Sequence, residues 1–219
     1  MSPPARPRRY DVSVFVNCPF DDAYRPLLHA VLFTIHDCGF LARSALEDVG
    51  SGETRLDKIV RIVRDSRFSV HDISRVEVTP DRPLPRFNMP FECGLAFGAR
   101  HFGATRTAAG RDLLVLAAEH LQDRMTLSDL AGQDPAYHAN DPNKAIRAVR
   151  AFLAAKAKAV LPPGVIVRGH GAIAERFERF KAELPALAQA ASIRADEIGT
   201  FEYVAEWLTL AAHWQAASA

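Results

Sequence analysis

The stretch NMPFECGLAFGAR, residues 88–100, sets one carboxylate, Glu92, among apolar and small residues where a helix begins. An acid in the first turn of a helix is stabilised by the helix dipole and by the unpaired N–H groups there, so a purely structural role is open to it. A chemical role is open too. Pro90, Phe91 and Leu95 would form a dry wall against which the carboxylate acts on a sugar, as a nucleophile or as the stabiliser of an oxocarbenium-like centre. Two other segments bring polar groups to the same place: NCPFDD (17–22), with Asn17 and Phe20, and HDISR (71–75), with Asp72 and Arg75. Phe20 offers a ring for stacking on a base or nicotinamide, or else belongs to the core. Arg75, Arg82 and Arg86 supply three guanidinium groups before Glu92, suited to bidentate phosphate binding or else solvated on a loop. Gln133, within DLAGQD (129–134), is placed as a further contact. His36 and His71 lie in apolar segments with no second ligand at helical spacing, so they read as core hydrogen-bonding groups and no metal is expected. Cys18 and Cys93 flank the site without an evident base, which argues against a catalytic thiolate.

These residues need a scaffold that gathers them. VSVFVNC (12–18) reads as a β-branched strand, and Leu27, Leu28, Val31, Leu32 and Ile35 then keep helical spacing until Gly39. FLARSAL gives a second strand, and Leu56, Ile59, Val60 and Val63 mark one face of a second helix. RFSVHDIS reads as a third strand, followed by a proline-rich loop of the kind that often forms a lid, then by a helix over 90–101 that carries Glu92. DLLVLAAE (112–119) is apolar enough to be buried on both faces. A short fifth strand is placed within 127–141, a helix follows with Ile146, Val149, Phe152 and Leu153, and LPPG (161–164) ends it. Two more amphipathic segments span about 171–190 and 196–213. The order βαβαβαβ predicts a three-layer α/β fold with a parallel sheet of four to five strands, whose ligands sit at the carboxyl ends of the strands near the switch in strand order. The expected organisation is a mobile tail over 1–10, an α/β nucleoside- or nucleotide-binding domain over 11–160 and a helical C-terminal appendage over 161–219.

Composition narrows the function classes. The 219 residues are 48% hydrophobic and 24% charged, with a formal net charge of +1, so no global field draws nucleic acid or anionic lipid. No apolar run approaches the ~20 residues of a membrane span. Three cysteines without CxxC spacing, and an N-terminus lacking an apolar signal core, fit a cytoplasmic location.

VFVNCPFDDAY, HDISR and NMPFECGLAFGA together resemble the nucleoside 2-deoxyribosyltransferase-like branch of the flavodoxin-like folds, adjacent to the TIR-type NAD-cleaving domains. The resemblance covers about residues 12–140. It implies that Glu92 is the catalytic glutamate of an N-x-x-x-E-L-G-like helix start, with Asn88 and Gly94 on the same pattern, and that Asp72 is the strand-end aspartate near the sugar hydroxyls. Such transferases often carry a second aspartate six residues before the glutamate, where this chain has Arg86, and an arginine suits a nucleotide or NAD better than a bare nucleoside. The implied activity is cleavage or transfer of an N-glycosidic bond of a nucleoside, a nucleotide or NAD, with no cofactor, since NAD would enter only as a substrate, and with a homo-oligomer as the working form. A service in bacterial stress or antiphage defence is the corresponding expectation. A non-catalytic nucleotide-sensing module of the same fold is the alternative, in which Glu92 only orients the ligand.

Overall fold

A computed structural model of the chain describes residues 8–47, 50, 52–75, 87–103, 110–120 and 133–218. After a single helical turn, α1 (Arg9–Val12), the chain runs β1 (Ser13–Asn17), α2 (Arg25–Asp37), β2 (Leu41–Arg43), α3 (Arg55–Arg64), β3 (Phe68–Asp72), α4 (Asn88–Phe102), β4 (Asp112–Ala117), β5 (Ala136–Tyr137) and α5 (Pro142–Val160). Two long C-terminal helices, α6 (His170–Ala190) and α7 (Val204–Ala217), close it. The five strands are all parallel in the order β2-β1-β3-β4-β5, which makes a three-layer α/β fold of flavodoxin-like strand order. Strand order reverses between β1 and β3, so their carboxyl ends frame the crevice where such sheets take ligands.

Alternation along the strands decides which layer each side chain enters. Val14 and Val16 of β1, with Phe68 and Val70 of β3, turn toward α2 and α5, while Phe15 turns toward Ile59, Ile62 and Val63 of α3 and Ala96 of α4. The α2 side is the deeper layer. Phe33 of α2 lies 5.3 Å from Phe177 and 5.5 Å from Phe180 of α6, and Phe180 stands edge-on to Trp207 of α7, so the C-terminal helices share the core of this face. At the end of α2, Gly39 takes φ +84°, the left-handed conformation that lets the chain leave the helix for β2.

Element ends differ from the sequence reading where apolar spacing outlasts the structure. α7 starts at Val204 rather than near 196, because residues 191–203 form turns and a 3-10 segment in which Ile198 and Phe201 keep helical spacing without an α-helix. β2 stops at Arg43, since Ser44 turns the chain and its hydroxyl accepts the Leu46 N–H. Among the described residues no helix is long and apolar enough to cross a membrane.

Candidate active site

Consecutive residues at the end of β3 face opposite layers. His71 turns toward α4 and is fully buried; its Nδ1 accepts a hydrogen bond from Asn17 Nδ2 at 3.0 Å, which leaves Nε2–H to donate to Ser69 Oγ at 2.9 Å. Burial lowers its pKa to about 3, so it stays a neutral imidazole. The same Asn17 amide donates to the Met89 carbonyl at 2.9 Å, in the first turn of α4. Asn17, at the last position of β1, thereby fixes where the helix bearing Glu92 starts.

Asp72 turns toward α2 instead. It is 1% exposed; its Oδ2 accepts from the Tyr24 hydroxyl at 2.6 Å and its Oδ1 from the Ser74 N–H at 2.9 Å and from the Ser74 hydroxyl, while His138 Nε2 lies 2.9 Å from Oδ2 and hydrogen-bonds Ser74 Oγ at 3.0 Å. His138, also fully buried, accepts the Asn140 N–H on Nδ1 at 3.0 Å, which assigns its proton to Nε2. Three donors engage the two carboxylate oxygens, and through Ser74 and His138 the arrangement ties β3, α2 and the turn after β5 into one buried network.

Glu92 stands in a different setting. It is 5% exposed and, because α4 starts at Asn88 rather than Pro90, lies past the first turn expected for it; among the described residues its one ion-pair partner is Arg55, whose guanidinium lies 3.6 Å away and whose side chain is 53% exposed. Burial pushes the Glu92 pKa up, and Arg55 opposes that rise. Arg55 opens α3 behind Thr54, whose hydroxyl caps the helix by accepting the Asp57 N–H, and it also lies over the Phe20 ring at 5.8 Å. Phe20 in turn packs edge-on against Phe201, 5.9 Å between centroids. Phe20, Arg55 and Glu92 therefore form one group, with a flat ring, a cation and a dry carboxylate side by side. Cys18 lies between the carboxylates: burial first, then Asp72, Glu92 and Asp21, hold its thiol protonated, and burial raises Cys93 to about 12. Neither offers a thiolate.

The remaining expected residues are dispersed. Arg75 pairs with Asp21 at 3.3 Å, Asn88 and Gln133 are exposed, and Arg82 and Arg86 lie outside the described residues. His36 accepts the Ala42 N–H on Nε2 at 3.3 Å, a core role like that of His71. Sequence reasoning missed Arg55, Tyr24, Ser74 and His138. Only His71–Asp72 carried a usable signal, since neighbours on a strand must point to opposite faces. Searches of family models, of curated proteins and of solved structures find no match for this chain.

Proposed function

We propose that the group formed by Phe20, Arg55 and Glu92 acts on the N-glycosidic bond of a nucleotide, with NAD as the substrate that suits it best. The observation carrying this reading is the condition of Glu92: a nearly dry carboxylate at the carboxyl edge of a parallel sheet, held by one half-exposed arginine. A desolvated carboxylate attracts a developing oxocarbenium centre more strongly than a hydrated one. Arg55 favours its ionised form against the pull of burial.

Glu92 would attack or electrostatically stabilise the anomeric carbon as the C–N bond breaks and its electron pair leaves with the base. A nicotinamide leaves as a neutral molecule from a cationic ring, so no proton need be donated to it. That matters here, because Asp72 is engaged by three donors and His138 is enclosed in the same network. In this reading Asp72 positions the β3 end and Phe20 stacks on the ring of the substrate.

The test is incubation of the purified protein, over a range of concentrations, with NAD and a panel of nucleotides and deoxynucleosides, separating released base by chromatography. Nicotinamide release that falls at least about a thousandfold in Glu92→Gln, with NAD affinity within a few-fold of wild type, is the expected result. Binding without release of any base would favour the sensing module instead.

A further inference from the structure

The seam between α2 and the C-terminal helices holds a cleft of about 400 Å³, whose lining shares no residue with the Phe20, Arg55 and Glu92 group. Pro26 of α2, Pro142 of α5 and Phe177 of α6 give it apolar walls, Arg25 and Lys181 stand in its lining, and His29 forms part of its floor. That volume falls in the range of sites for small organic molecules.

Three features point to an occupant. The His29 ring stacks on Trp207, 4.6 Å between centroids at 12°, and its buried Nε2 has no hydrogen-bond partner. A buried ring nitrogen without a partner is uncommon, because nothing offsets its lost hydration. Burial and the nearby Arg25 lower the His29 pKa to about 4, so the ring is neutral. The charges lining the cleft are Asp22, Arg25 and Lys181, one positive in excess, and the amino-terminal ends of α2 and α5 add their positive dipole ends. Arg25 and Lys181 now pair with Asp22 at 3.0 Å and Glu178 at 2.7 Å, carboxylates that are 84% and 62% exposed and readily exchanged for a ligand anion. Finally, Gly199 leaves space at the imidazole edge: a Cβ there would meet only His29 Cε1, at 4.0 Å.

We propose that this cleft binds a small organic anion, a carboxylate or a phosphate monoester on an apolar or aromatic body. The anionic group sits between Arg25 and Lys181, and the body lies against Phe177, the two prolines and the space left by Gly199. The proposal is independent of the activity assigned to Glu92.

Calorimetric titration of the full chain with benzoate, phenyl phosphate and inorganic phosphate, with benzyl alcohol as the neutral control, tests it. Saturable binding of an aryl anion at millimolar concentration or below is expected, and the tighter of benzoate and phenyl phosphate names the anion class. Arg25→Gln and Lys181→Gln, both at partly exposed side chains, should each weaken it about tenfold. Gly199→Leu should abolish it while leaving the melting temperature within a few degrees. Affinity unchanged in these variants, loss of binding in Glu92→Gln, equal binding of benzyl alcohol, or no saturable binding of any anion would each overturn the proposal.

Discussion

Asp72 and Glu92 are both carboxylates with almost no solvent exposure, 1% and 5%, both at the carboxyl edge of the sheet, and both near the Cys18 thiol. Their partners separate them. Asp72 accepts from Tyr24 and from Ser74 twice, with His138 2.9 Å away, and all three residues are themselves buried, so no partner can leave without opening the core. Glu92 faces one cation at 3.6 Å on a side chain 53% exposed. A buried carboxylate with buried donors is scaffold, whereas Glu92, whose counter-charge among the described residues reaches into solvent, is the one proposed to meet a substrate. Burial alone does not distinguish the two; the accessibility of the partners does.

Breaking the scaffold side should have the largest effect. Asp72→Ala leaves the Tyr24 hydroxyl and the Ser74 N–H and hydroxyl without their acceptor, and each buried donor left unsatisfied costs about 1–3 kcal/mol. Urea unfolding reads this as a fall in the midpoint with little change in slope. His138→Ala should cost a similar amount and be less than additive with Asp72→Ala, because the two remove one network.

The hinge between the two regions is Asn17. Asn17→Ala strands the Met89 carbonyl and His71 Nδ1, at a cost of about 1–3 kcal/mol, and frees the start of α4. Base release should then fall through kcat more than through KM, since Glu92 is displaced while the ring-binding Phe20 is not. Equal changes in stability and no change in the kcat to KM split would leave Asn17 a core residue only.

Arg55→Ala should change stability least, because the arginine's own side chain is 53% exposed and its contact with the buried Glu92 carboxylate is long, at 3.6 Å. Its sign appears in the pH dependence: Arg55 lowers the Glu92 pKa, so its removal should move the acid limb of the rate profile to higher pH. An acid limb that stays in place would detach Arg55 from the function of Glu92.

Much of the framework is legible in the sequence, because β1, β3 and β4 are apolar runs and α2 and α3 keep one apolar face. Glu92 is legible as well: an acid in an apolar helix start stands out locally. The Asp72 network is not, since Tyr24 and His138 are 48 and 66 residues from Asp72 and only the folded sheet brings them together. His138 sits just before Ala139 and Asn140, both at positive φ, in a stretch with no periodicity to mark it. Arg55 reads from sequence as one charge on a solvated face, and its place over Phe20 and beside Glu92 comes from how α3 and α4 pack.

The division between the two carboxylates is tested most directly by the unfolding free energy of Glu92→Gln relative to wild type as a function of pH. Burial raises the folded-state pKa of Glu92 above its ordinary value near 4.5, so the folded protein holds that proton more tightly than the unfolded chain does. Stability referable to Glu92 is therefore greatest below about pH 4.5 and falls as pH rises through the folded-state pKa, whereas glutamine carries no such cost. The account predicts that Glu92→Gln matches wild type near pH 4 and is the more stable protein at pH 7. A variant destabilised at pH 7 by the several kcal/mol expected of Asp72→Ala would contradict it and make Glu92 a second scaffold carboxylate.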